Sequence, residues 1–251
     1  MSENLSIIDG HAHINELENP GHEFEKAKHV GVKAIIGVGM DVASNRRILE
    51  LAREYPGFVF PAIGYHPWEI REEEIEQSLA FVEENIGGCV ALGEVGVDYK
   101  VKMKKPIQRR VFGEIIRIAN RHDKPLILHC RYSHQRVLAM ILEGGIRRAV
   151  FHWYNASLDL LQEILSSGYY VSATPALRNS PHHQEAMKEA PIERILVETA
   201  LRCRRYGTGA CQDKGNASLR GCLGNISKHS GFLRTFAVIL AIIIIFQCNV
   251  R

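Results

Sequence analysis

Six side chains of this 251-residue chain stand out for the chemistry they could do together: His11, His13, His66, Glu94, His129 and His152. His11 and His13 lie two apart in Asp9-Gly-His-Ala-His13, and on a strand, where side chains alternate with period two, both imidazoles can reach one metal ion. A pair of this kind is common, and a lone histidine near a strand end is well explained by an ordinary hydrogen bond. The set rises above that reading because ligand-type residues recur at the ends of later strand-like runs: His66 near the third, Glu94 on the fourth, His129 on the fifth and His152 on the sixth. Imidazole and carboxylate without thiolate suit Zn²⁺, Mn²⁺, Fe²⁺ or Mg²⁺ alike, with Glu94 placed to bridge two adjacent ions. Cys130 beside His129 suggests a thiol nucleophile, but neighbours on a strand face opposite sides, so the two do not meet.

The elements that must position these residues are legible as short runs rich in Val, Ile and Ala at 7–14, 33–39, 58–64, 89–95, 125–130, 148–152, 168–173 and 194–199. Between them, stretches such as 42–55, 69–86 and 106–122 have helical length and spacing. Strands that do not alternate apolar with polar are buried on both faces, which implies a parallel sheet. Eight strand–helix units imply an α/β fold of the closed (β/α)₈, or TIM, barrel type, with an open flavodoxin-like sheet as the alternative. In such a barrel the active site lies at the strand C-termini, where all six residues fall. Gly37-Val-Gly39 lacks the third glycine of a dinucleotide fingerprint, so no nucleotide cofactor is expected.

Charge divides the chain in two. From residue 201 onward eight basic residues face the single acid Asp213, which leaves 23 basic and 27 acidic residues in the first 200. The main body is mildly acidic, so any nucleic-acid contact must come from local groups rather than bulk charge. Met1-Ser-Glu-Asn-Leu-Ser has neither a basic nor an apolar signal region, which reads as an intracellular address, cytoplasmic or nuclear. Six cysteines, scattered and partly within apolar runs, read as reduced thiols. His22, His29, His122, His134, His182, His183 and His229 fall in helical or loop segments and are expected at the surface.

Asp9-Gly-His-Ala-His13, Gly64-Tyr-His-Pro67, Gly93-Glu-Val-Gly-Val-Asp-Tyr99, Leu128-His-Cys-Arg131 and Phe151-His152 resemble the successive signatures of the TatD-type metal-dependent deoxyribonucleases, over about residues 5–199. The resemblance implies an amidohydrolase-like barrel with two divalent ions per subunit that hydrolyses DNA phosphodiesters, as a 3′ exonuclease or repair-type nuclease. It implies one ion on His11, His13 and Glu94, and a second on Glu94, His129 and His152. Glu94 and His66 then carry the catalytic roles, with His66 lining the pocket against substrate phosphate. Arg131, Arg178 and the run Lys100-Val-Lys102-Met-Lys104-Lys105 follow the fifth, seventh and fourth strands, on the rim where phosphate oxygens would lie. The lysine run reads equally well as a solvated loop.

The likeness breaks at the eighth strand. The family pattern ends Glu-Thr-Asp, with the aspartate binding the first ion and acting as base, whereas this chain reads Glu198-Thr199-Ala200. Glu198 is two strand residues deeper, roughly 6–7 Å away, which argues against direct replacement. Charge, glycine content and cysteine density also change there. A hydrolase barrel over 1–199 and an atypical tail over 200–251 are therefore expected, the tail replacing the usual last helix, for example by alternative splicing. Its apolar run 236–246 is shorter than the ~20 residues a bilayer requires. Packing over the eighth strand, lying at a membrane surface and self-association all stay open for that run. Two other functions remain in view: hydrolysis of another ester or amide, and a catalytically silent binding form.

Overall fold

The computed structural model describes residues 6–199. Eight parallel strands pair in chain order: β1 (Ile7–Ala12), β2 (Val32–Val38), β3 (Val59–Ile63), β4 (Ala91–Asp98), β5 (Leu126–Arg131), β6 (Ala149–Phe151), β7 (Tyr170–Ala173) and β8 (Ile195–Val197). Seven helices alternate with them: α1 (Pro20–His29), α2 (Val42–Glu54), α3 (Ile75–Asn85), α4 (Lys105–Arg121), α5 (His134–Glu143), α6 (Leu158–Ser166) and α7 (Pro181–Glu189). This is the expected (β/α)₈ barrel. Ala200, the basic tail and the apolar run 236–246 lie outside the described residues, as does His229.

Strand alternation builds two apolar layers. Ile36, Val38, Ala62, Ala91, Ile127, Val150 and Leu196 fill the barrel interior. Leu92, Leu126, Leu128 and Phe151 face the helices, where they meet Val111, Phe112, Ile115, Val137 and Ile164. Burying each such side chain contributes about 1.5–3 kcal/mol, so the interior layer is a rigid floor rather than a channel. His129 and His152 come two residues after Ile127 and Val150, which lifts their rings above that floor on the inward face.

Register irregularities re-aim β1 and β4. The β1–β2 register shifts between Asp9 and Ala12, and the β4–β5 register shifts between Leu92 and Val95. Each bulge turns a side chain that strict alternation would place elsewhere. Strand β4 then continues to Asp98, three residues past its expected end, with Asp98 opposite Arg131. Gly96 makes this continuation feasible. Its φ is +147° and a Cβ there would sit 2.1 Å from the carbonyl oxygen of His129, so no other residue fits.

Two of the histidines expected at the surface are buried instead. His183 is enclosed because both ring nitrogens are satisfied, Nδ1 at 2.7 Å from the Tyr154 carbonyl and Nε2 accepting the Thr174 N–H at 3.2 Å. His134 packs edge-on to Tyr154, and His122 is half-buried. His22, His29 and His182 are exposed as expected.

Candidate metal centre

At the C-terminal mouth of the barrel, Glu94 stands at the centre of five histidines. Its Oε2 lies 3.2 Å from His11 Nε2 and 3.2 Å from His13 Nε2. Its Oε1 lies 2.7 Å from His129 Nδ1, 3.4 Å from His66 Nε2 and 3.5 Å from His152 Nε2. The two oxygens of one carboxylate thus address two separate groups of imidazoles. The structure brings together His11, His13, His66, Glu94, His129 and His152, all of them singled out in the sequence.

The donor set fits a cation. His11 Nε2, His13 Nε2 and Glu94 Oε2 are each 3.2 Å from the other two. Ligands about 2.0–2.2 Å from a tetrahedral ion stand about 3.3–3.6 Å apart, so the triangle is already close to a coordination face. His13 Nδ1 donates to the Val38 carbonyl at 3.1 Å, which leaves an Nε2 lone pair pointing at the other two donors. His11 Nδ1 is buried without a hydrogen-bond partner among the described residues.

Three carboxylates outside the expected set complete the surroundings. Asp98 Oδ2 lies 3.1 Å from His129 Nε2 and accepts the Trp68 indole N–H at 2.6 Å, while its Oδ1 accepts the Lys100 N–H at 2.7 Å. Glu198 Oε1 lies 2.6 Å from His152 Nδ1. Asp9 accepts the backbone N–H of both His11 and Thr199 and the Thr199 hydroxyl. The signal that could have found Asp98 is its spacing, since it stands four residues after Glu94 on one strand.

The electrostatics follow from burial opposed by neighbours. Burial would raise the Glu94 carboxyl, but His66, His152 and His11 around it hold it well below the usual carboxylate range. Asp98 is likewise opposed by burial yet sits at about 2, through its bonds from His129 and Trp68. Burial works against the His152 imidazolium, and Glu198 and Glu94 more than offset it, raising it to about 9. His66 falls to about 4 and His11 is lowered, both first by burial and then by a neighbouring histidine. Burial raises Asp9 to about 7. The surrounding carboxylates thus favour positive charge at His129 and His152, the positions at which a metal cation would supply it.

The rim is less uniform than its sequence suggested. Arg131 ends β5 half-buried, and Arg178 is exposed in the turn after β7. Within the lysine run, Lys104 pairs with Glu72 and Lys105 lies over the Tyr99 ring, whereas Lys100 and Lys102 are exposed. Cys130 packs against the outer apolar layer, and burial raises its thiol well above the ordinary range, so it does not serve this mouth.

An eight-stranded parallel barrel with imidazoles and a central carboxylate at its C-terminal mouth is a TIM barrel whose catalytic face carries a candidate metal centre. Residues 8–201 match the family model described as TatD related DNase, and the chain belongs to that family. It is similar to deoxyribonuclease TATDN3 of Homo sapiens, 25% identical over 212 residues that cover 78% of this chain and 77% of that protein. It is also similar to YabD, an uncharacterized metal-dependent hydrolase of Bacillus subtilis, 32% identical over 206 residues covering 77% and 79%. Among solved structures, YjjV, a TatD homologue from Escherichia coli K12, superposes with a TM-score of 0.70 at 25% identity over 78% of this chain and 80% of that one. No helix among the described residues is long and apolar enough to cross a membrane.

Proposed function

We propose that residues 1–199 form a hydrolase unit that cleaves DNA phosphodiester bonds using two divalent ions, one on His11, His13 and Glu94 and one on Glu94, His129 and His152. The observation that carries this reading is the division of Glu94, with Oε2 on one histidine pair and Oε1 on the other. Bound there, such ions supply Lewis-acid polarisation of a phosphate oxygen and a lowered pKa for the attacking water. The chain's own residues do the rest. The Trp68 backbone N–H donates to His66 Nδ1 at 3.1 Å, so neutral His66 carries its proton on Nε2 and presents it to the mouth as a donor for phosphate oxygen. Arg131 and Arg178 stand on the rim to receive the flanking phosphates. No covalent nucleophile is needed.

Ala200 favours a second reading. The proton acceptor that the family pattern has at this position is missing from the sequence, so this chain is a weak nuclease or a form that binds DNA without cutting it. Cleavage of single- and double-stranded DNA should be assayed with Zn²⁺, Mn²⁺ or Mg²⁺, with EDTA, and with Glu94→Gln. Metal-dependent cleavage abolished by EDTA and by Glu94→Gln supports the hydrolase reading. DNA binding without cleavage under every metal supports the silent one.

A further inference from the structure

We propose that Asp98 and Glu198 are paired positioning carboxylates: each holds the outward nitrogen of one histidine, so that His129 Nδ1 and His152 Nε2 stay aimed at Glu94 Oε1, and this half of the centre keeps its ion without any ligand from position 200. The inference rests on the metal centre proposed above and goes beyond it by saying which half survives in this chain.

The ring nitrogens carry the case. His129 meets Asp98 through Nε2 and Glu94 through Nδ1, at 3.1 and 2.7 Å. His152 meets Glu198 through Nδ1 at 2.6 Å, and its Nε2 points to Glu94 at 3.5 Å. Once the outward nitrogen donates its hydrogen to a carboxylate, the inward one presents a lone pair. A lone pair 2.7 Å from an ionised carboxylate oxygen is repulsive unless a cation stands between them, so the pair is built to hold either a proton or a metal ion.

The acceptors are themselves fixed. Asp98 is completely buried and is pinned by the Trp68 indole N–H and the Lys100 N–H, both oxygens being used. Glu198 is buried beside Ser172, whose hydroxyl oxygen accepts the Trp153 N–H. These contacts hold each carboxylate against the ring it orients, and a carboxylate acceptor raises the basicity of the opposite nitrogen.

The other half has no such support. His13 has only the neutral Val38 carbonyl behind it, and His11 Nδ1 has no hydrogen-bond partner among the described residues. His66, though close to Glu94 and His129, is wired in the opposite sense. Its Nδ1 accepts the Trp68 N–H, so in the neutral ring its Nε2 carries the hydrogen, although the ring lies within ligand distance of Glu94 and His129. The Glu94 Oε1 side is thus complete within the barrel, whereas the Oε2 side depends on what the eighth strand adds.

Long-range ¹H–¹⁵N NMR of the full chain, before and after Zn²⁺, reads this directly and requires no substitution. In the zinc-loaded form His129 should carry hydrogen on Nε2 and His152 on Nδ1, with zinc-induced shifts at the two opposite nitrogens. Chelator competition should show one tight Zn²⁺, weakened about 10–100-fold by Asp98→Ala or Glu198→Ala, as expected for loss of an outer partner. Glu198→Gln, which keeps an acceptor oxygen, should recover part of the loss. A hydrogen-free His152 Nδ1 in the zinc form, or carboxylate variants that bind Zn²⁺ as tightly as the parent, would overturn the inference while leaving a metal centre in place. Absence of any Zn²⁺ binding by the parent would overturn the metal centre itself.

Discussion

Asp9 grips Thr199 with both oxygens of one carboxylate, accepting its backbone N–H at 3.0 Å and its hydroxyl at 2.5 Å. These two residues, 190 apart in sequence, lie on β1 and just beyond β8, at the seam where the barrel closes. The same Oδ1 accepts the His11 N–H, so the clasp also sets the backbone that carries the first histidine. Asp9→Ala would leave these buried donors without an acceptor, each worth about 1–3 kcal/mol. Denaturant unfolding is expected to show a loss of at least about 2 kcal/mol, with Asp9→Asn, which retains one acceptor oxygen, losing less. Equal stability of Asp9→Ala and the parent would show that the seam closes without the clasp.

Ala200→Asp should restore what the family pattern places after Glu198-Thr199. By the family pattern, a carboxylate there would add a ligand to the ion on His11 and His13 and a base for the attacking water. The expected outcome is one additional tightly held ion per chain after dialysis, measured by elemental analysis. Metal-dependent cleavage should rise by about 10²-fold or more, the range for a positioned general base. Equal stoichiometry and equal rate in the two forms would mean that position 200 does not matter to the centre.

The barrel was legible because its strands are buried on both faces, so apolar runs such as Leu126–Arg131 announce themselves without alternation. The histidines were legible because they close those runs. Asp98 was not, because the fourth run reads as ending at Val95; only the bulge after Leu92 and the positive φ of Gly96 carry the strand on to it. Glu198 reads in the sequence only against the missing aspartate at 200, and its bond to His152 depends on a register that sequence does not encode locally. His134 and His183 are buried for a simpler reason. Each begins a helical apolar stripe, His134 with Val137, Leu138 and Ile141, and His183 with Ala186 and Met187, and this spacing marks the buried face.

Buried His134 should give the fold an acid limit. Burial, with a smaller effect from His129, lowers its pKa from 6.5 to about 4. As pH falls below 6.5 the unfolded chain takes up this proton while the folded chain does not. The contribution is therefore complete above pH 6.5 and is lost progressively as pH falls to about 4, by roughly 3 kcal/mol in all. His134→Gln removes the titration, so the fall in Tm between pH 7.5 and 5 should be smaller in the variant than in the parent. The same fall in both would mean that His134 is protonated in the native state.

Arg131 is the rim cation whose removal should matter most. It shares strand parity with His129 on β5, so alternation turns both toward the barrel mouth, and it stands opposite Asp98 in the β4–β5 register. Its half-buried position holds the guanidinium near the centre, whereas Lys100 and Lys102 project from an exposed loop and Arg178 lies on an exposed turn. A charge-assisted bond to phosphate at such a site is worth about 1.5–3 kcal/mol. Arg131→Ala should then raise the Kd for DNA by about 10-fold or more and reduce the slope of log K against log salt by about 1, without selecting among base sequences. Lys102→Ala should change the Kd far less. If Arg131→Ala binds DNA with the parent's affinity and salt slope, the phosphates run elsewhere on the rim.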